Sequence, residues 1–172
     1  LVVPFVPVKP VGPSTTRPAA LADGLEDLLA NVPGMIYRCL HDEFWTVQFI
    51  SEGCLDLTGY TSEEITRNRV VSFASLIHPD DRQMVRTQVN QALASRQQYL
   101  LHYRLRTKSG QEKWVRERGV GLFDAEGRLK GLQGFVDDIS EQQRALQALR
   151  NSEHRARLLF DHAPDAHYLH DL

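Results

Sequence analysis

The sequence has 172 residues, 42% of them hydrophobic and 24% charged, which is room for one globular domain of about 100–150 residues with flanks. Lys and Arg number 20 against 22 Asp and Glu, a formal net charge of −2, so no basic excess points to a nucleic acid or to an anionic membrane surface. Two cysteines, Cys39 and Cys54, are too few for a disulfide scaffold and suit a reducing compartment.

In chain order, residues 1–20 hold the prolines Pro4, Pro7, Pro10, Pro13 and Pro18. They read as an extended, polyproline-like arm, because proline lacks the N–H and the freedom in φ that a helix or central strand requires. No apolar run approaches the ~20 residues of a membrane-spanning helix, and the prolines break up the order of a signal peptide. Leu21, Leu25, Leu28 and Leu29 recur at helical spacing up to Pro33-Gly34 and predict a flanking helix. From Met35 the period shortens. "MIYRCLHD" and "WTVQFIS" predict two strands joined by a hairpin at Asp42-Glu43-Phe44. "EGCLDLTGY" predicts a short helix closed by a left-handed Gly59, and "TSEE" (Thr61 to Glu64) has capping-box spacing.

The stretch "SLIHPDDRQMVRTQVNQAL" (75–93) sets His78, Asp80, Asp81 and Arg82 almost side by side, which suggests a metal cluster, an acid–base site or the start of a helix. Pro79 suits the first helical position, and Asp80 and Asp81 suit the positive end of the helix dipole. Met84 or Val85, Val89 and Leu93 then form an apolar stripe, and the helix ends near Ser95. As ligands the two aspartates would diverge by roughly 100° around the axis, and no zinc-spaced Cys or His accompanies them. Helix initiation is the preferred reading, with His78 either a local cap or a contact to the adjoining loop.

Three strands follow. In "YLLHYRLRT", Tyr99, Leu101, Tyr103 and Leu105 alternate with His102, Arg104 and Arg106, a half-buried antiparallel pattern. "KSGQ" turns into "EKWVRERGVGLF", and "DAEGR" turns into "LKGLQGFVDDIS". The glycines of "GVG" and "GLQG" mark bends or close packing rather than a phosphate cradle. Last comes a continuous helical pattern of about six turns from Ser140. The sum is an α+β architecture, one five-stranded antiparallel sheet with short helices on one face, flanked by an N-terminal and a C-terminal helix.

The words "LTGYTSEEI" (57–65), "LIHPDDR" (76–82), "YRLRTKSGQEKWVRERG" (103–119) and "FDAEGRLKGLQGFVDDIS" (123–140), in this order and at this spacing, make the chain resemble the PAS sensor domain in its large bacterial branch. "LEDLLANVPGMIYRCLHD" (25–42) is also similar to "RARLLFDHAPDAHYLHDL" (155–172), an internal repeat at a domain-sized period. The expected organisation is therefore an arm (1–20), a PAS domain with its flanking helix (21–140), a signalling helix (141–160) and the truncated start of a second PAS domain (161–172). The chain then reads as a piece of a longer protein.

The resemblance implies a sensory and dimerisation module of a bacterial signal-transduction protein. The output expected first is a sensor histidine kinase, with a diguanylate cyclase or phosphodiesterase (GGDEF or EAL) or a ligand-free scaffold as alternatives. No catalytic residue and no metal ligand is assigned. The small apolar pocket that it implies is expected to be lined by Met35, Tyr37, Phe49, Leu55, Phe73, Leu76, Tyr103 and Leu105. No cofactor is specifically indicated. Cys54 stands outside the Asn-Cys-Arg word of the light-sensing flavin relatives. His102 is expected to face away from the interior and His41 lies at a strand end, so neither is a good haem ligand. Trp114 with Tyr99 and Tyr103 either stacks on a planar ligand or packs across strands.

In the exit helix, Gln142, Leu146, Leu149, Glu153, Ala156 and Phe160 are spaced 4, 3, 4, 3, 4, a heptad seam with two polar positions. Asp138 and Ser140 mark its start. Either the helix packs on its own domain, or it pairs in parallel with a second copy and transmits a signal; the resemblance favours pairing. The expected partners are thus a second copy, an output domain in the same chain and a small-molecule ligand, with no nucleic acid. The expected location is cytoplasmic, with the full-length protein membrane-anchored if spans lie elsewhere.

Overall fold

Period-2 alternation along the strands decides which face of the single sheet is core. The computed structural model describes residues 33–161, with side chains described through Arg157. The proline-rich arm, the flanking helix expected from Leu21, Leu25, Leu28 and Leu29, and the second-domain segment beyond Asp161 lie outside the described residues. Strands β1 (Met35–Cys39), β2 (Val47–Ile50), β3 (Tyr99–Arg106), β4 (Glu112–Phe123) and β5 (Leu129–Asp138) lie in the order β2-β1-β5-β4-β3. Every neighbouring pair is antiparallel. Between β2 and β3 come α1 (Cys54–Thr58), α2 (Ser62–Ile65), α3 (Phe73–Leu76) and the longer α4 (Arg82–Ala94). The last helix, α5 (Ser140–Asp161), leaves directly from β5. This is the α+β order that the sequence predicts.

Local chemistry sets the helix boundaries. Gly59 takes φ 78° and its N–H closes α1 on Leu55 O at 2.8 Å. Thr61 and Glu64 form a reciprocal capping box at the start of α2, at 3.3 and 2.9 Å. Helix α4 buries Val85 and Val89 one turn apart, with Met84 and Leu93 partly covered.

The cluster before α4 is a brace. Pro79–Asp81 form a 3₁₀ turn rather than the first turn of the α-helix, a common tightening at a helix entrance. His78 is the local cap, and its second contact reaches a strand rather than the adjoining loop. Its Nδ1 accepts from the Asp80 N–H at 3.3 Å, and its Nε2 lies 3.0 Å from Glu112 Oε1 at the start of β4. Asp81 accepts from the Arg104 backbone N–H, Nε and Nη2 at 2.8, 3.0 and 2.7 Å. Those bonds from Arg104 hold the Asp81 carboxyl below its usual range despite partial burial. Its carboxylate is thereby committed to tying α4 to β3.

One expected inward residue faces out. In β2, Ile50 pairs with Tyr37 and Phe49 with Arg38, but Cys39 pairs with Val47. The bulge absorbs Gln48 and reverses the parity, so Val47 and Ile50 both turn to the core while Phe49 is 47% exposed. Accordingly, Ile50→Ala should destabilise by about 2–4 kcal/mol and Phe49→Ala by less than about 1 kcal/mol, read from urea unfolding.

Candidate functional site

Strand parity brings four polar side chains together on the buried face of the sheet. Tyr37 points inward from β1, Tyr99 and Tyr103 from β3, and Glu117 from β4. The direct cross-strand partners of Glu117 are Leu101 and Val136, both apolar. Its carboxylate is therefore reached only diagonally. The Tyr103 hydroxyl donates to Glu117 Oε2 at 2.8 Å, and the Tyr37 hydroxyl donates to Oε1. The Tyr37 and Tyr99 hydroxyls are 2.7 Å apart. Since Tyr37 gives its single proton to Glu117, Tyr99 donates to Tyr37.

Two glycines make the reach feasible. Gly119 and Gly134 are direct partners across β4 and β5. A Cβ at Gly119 would fall 2.3 Å from the Tyr99 hydroxyl, and one at Gly134 would fall 2.9 Å from the Tyr37 hydroxyl. The ladder is thus lowered beneath both phenols. Phe73 of α3 stacks on Tyr37 at 6.3 Å and 14°, so an aromatic ring covers one end of the cluster.

Glu117 is 6% exposed, and besides the tyrosines the buried polar residues among those described are Ser51, Thr58 and Glu117 itself. No buried cation accompanies the carboxylate there. Burial pushes the Glu117 carboxyl above its ordinary value of 4.5, and the opposing bonds from Tyr37, Tyr103 and Tyr99 do not cancel that rise. Burial and the nearby carboxylate likewise push the tyrosine phenols up, so they act as neutral donors.

The residues expected to line an apolar pocket divide. Met35, Tyr37, Phe73, Leu76, Tyr103 and Leu105 are buried in one core, whose sheet face carries the carboxylate and phenols rather than a purely apolar surface. Phe49 and Leu55 are both 47% exposed and are corrected out of that lining. In α1 the buried residues are Cys54, Leu57 and Thr58, and Leu55 is not among them. It lines instead a surface cleft of about 630 Å³ beside Lys113, Asp137 and Asp138. Tyr99 and Tyr103 lie inside, whereas Trp114 is 39% exposed with the Arg104 guanidinium 5.8 Å from its ring. Those aromatics therefore cannot stack on one planar ligand. His102 is exposed, and His41 Nε2 lies 2.8 Å from Asn90 Oδ1. Cys39 and Cys54 are free and buried. Burial pushes both thiols up, Cys54 to about 11, which keeps them from acting as thiolates.

The second element of the site is the junction between β5 and α5. Asp138 Oδ1 accepts from the Ser140 N–H at 2.8 Å and caps the first turn, while Oδ2 lies 3.3 Å from Lys113 Nζ. Burial alone would raise the Asp138 carboxyl, but the bonds from Ser140 and Lys113 hold it low. Ser140 Oγ accepts from the Trp114 N–H at 2.9 Å, and the Ile139 N–H donates to Trp114 O at 2.9 Å. Ile139 is 3% exposed. The first residues of the helix are thus fixed to β4 as well as β5. Beyond them every residue from 144 to 157 is exposed, including Ala156, with Leu146 at 42% and Leu149 at 57%. Along that stretch the helix does not pack on the described residues of its own domain. The Phe160 side chain lies outside the described residues.

Glu117 belongs to no sequence motif. The available signal was parity: Val115, Glu117 and Gly119 share a face in the register that follows from Tyr103 and Tyr99. A raised carboxyl fixes the sign of a pH effect. The native state holds the proton more tightly than the unfolded chain, so stability contributed by this group is complete below 4.5 and falls as pH rises through the raised native value. Glu117→Gln should flatten that fall, measured as the difference between wild-type and variant denaturation midpoints across the same pH series.

The PAS-fold family model matches residues 47–136. The chain is 35% identical over 102 residues to the methyl sulfide methyltransferase-associated sensor of Methanosarcina acetivorans, covering 59% of this chain and 10% of that protein. It is 29% identical over 94 residues to the sensor protein FixL of Bradyrhizobium diazoefficiens, covering 55% and 19%. The chain thus spans between 10% and 19% of the length of these two relatives. Among solved structures it is similar to a sensory box histidine kinase/response regulator from Burkholderia thailandensis, with a TM-score of 0.60 and 25% identity over 81% of this chain and 97% of that one. With the matched segment running from β2 through most of β5, the chain belongs to the PAS-fold family.

Proposed function

We propose that this chain is a sensory and dimerisation module that passes the state of its sheet along α5 to an output domain of the same protein. The observation that carries the reading is the junction. Asp138, Ile139 and Ser140 are tied to Trp114 and Lys113, while Leu146 and Leu149 stand in water a few residues later. A 22-residue helix with exposed leucines is stabilised by a partner. The seam from Gln142 to Phe160 has the spacing for a parallel second copy. Its polar positions weaken pairing, which suits an element with two registers of similar energy. An effector acts on such a module only through different affinities for two packings of sheet and helix.

A sensor histidine kinase is the whole protein that the likeness to sensor proteins supports. A cytoplasmic setting for this module is supported by the two free, buried cysteines; among the described residues no helix is long and apolar enough to cross a membrane. Replacing Leu146 and Leu149 together with glutamate should convert a dimer into a monomer without loss of folded signal. Sedimentation equilibrium and circular dichroism on the two chains test this. A double variant that dimerises as tightly as wild type would remove α5 from the interface.

A further inference from the structure

Glu117 sits in an arrangement that a merely structural core does not need. Well-packed apolar residues of similar volume commonly stabilise as well as a buried ionic group or better. Here a carboxylate is supplied with phenol donors from two other strands, over a matched pair of glycines that give those phenols room. From β1 come Tyr37 and Cys39; from β3 come Tyr99 and Tyr103. Val136 of β5 is apolar, and Phe73 of α3 stacks on Tyr37. No Lys, Arg or His is buried with it among the described residues. A proton is the one cation that needs no additional space there.

We propose that the Tyr37–Tyr99–Tyr103–Glu117 cluster is the module's own input element: proton binding at Glu117 rearranges the hydroxyl chain and changes how β4 and β5 hold the start of α5. The cluster has two discrete hydrogen-bond arrangements. With the carboxylate ionised, Tyr103 and Tyr37 donate to its two oxygens and Tyr99 donates to Tyr37. A neutral carboxyl brings a fourth O–H into the same space. Its proton sits on one carboxyl oxygen and is donated to the phenol oxygen facing it, so the hydroxyl hydrogen that pointed at that carboxyl oxygen has to turn to another acceptor. Because interior packing is close, side chains that settle to the new donor and acceptor pairs shift their neighbours rather than moving into a void.

The neighbours lead to the helix. Glu117 pairs with Val136, two residues before Asp138, and Val115 pairs with Asp138 itself. Three residues from Glu117, Trp114 binds Ser140 and Ile139 through its backbone. Ionisation is also opposed by burial, so Glu117 keeps its proton to a higher pH than an exposed glutamate does.

The relay to an output domain rests on the function proposed above; the link from Glu117 to the junction does not, and the test separates them. In the full 172-residue chain, the Glu117 carboxyl carbon and the Trp114, Ile139 and Ser140 amides are followed by NMR from about pH 5 to about pH 8.5. The expected result is one shared midpoint, displaced upward in Tyr103→Phe, which removes a donor to the ionised form. In Glu117→Gln the amide titration should vanish. Glu117 titrating while the amides stay still, or the amides titrating unchanged in both variants, overturns the proposal. The dimer dissociation constant is measured on the same samples and should change about fivefold or more between the two ends of the series. Shared titration at the junction with no dimer at any pH would sustain the link and defeat the dimer reading.

Discussion

The pairing of β4 with β5 is the constraint on which the rest of the molecule depends. Its ladder runs from Val115 opposite Asp138 to Phe123 opposite Leu129. On the buried face it holds Glu117, and through the Gly119–Gly134 pair it makes room for two tyrosines from outer neighbours. At its end, Trp114 and Lys113 receive the first residues of α5. Lys113 also donates to Asp56 O in α1 at 2.8 Å. A single strand therefore touches the polar interior, the helical layer and the exit helix. Displacing β4 against β5 is felt in all three places, because a sheet ladder does not deform by small continuous steps without losing hydrogen bonds.

Burial makes the polar cluster consequential. A carboxylate taken out of water is costly unless donors surround it, and here the donors are neutral phenols rather than a cation. The ionised and neutral forms of Glu117 are consequently closer in free energy than for a salt-bridged aspartate such as Asp81, whose Arg104 partner holds it firmly charged. Asp81 and Glu117 illustrate two uses of an acid in one domain. Asp81 keeps its charge to lower pH than an ordinary aspartate and ties α4 to β3. Glu117 sits where a change of charge must be answered by its neighbours.

Much of the architecture was legible because its signals are local. The Gly59 closure, the Thr61–Glu64 capping box, the alternation of β3 and the Val85–Val89 stripe each arise from residues a few positions apart. The site was harder to read, for physical reasons that particular residues show. Phe49 was expected inside because nothing in "WTVQFIS" announces that Gln48 bulges; the irregularity exists only in the pairing of Val47 with Cys39. Asp81 resembled a helix-start acid and is one, yet its main partner, Arg104, is 23 positions away. Glu117 and Tyr37 are 80 positions apart, and only the strand order puts β5, with its obliging glycine, between them. Leu146 and Leu149 showed the opposite case: a seam written plainly in the spacing, whose freedom from its own domain became evident only from exposure.

Amide hydrogen exchange at Trp114, Ile139 and Ser140 measures most directly whether sheet and helix form one mechanical piece. Their donors belong to the β4–α5 junction, so they should exchange with the same protection as Val136 and Glu117 in the centre of the β4–β5 ladder, opening only when the ladder opens. Protection at those three amides lower by orders of magnitude, comparable to the exposed turns of α5, would show that the helix frays independently of the sheet and would contradict the account.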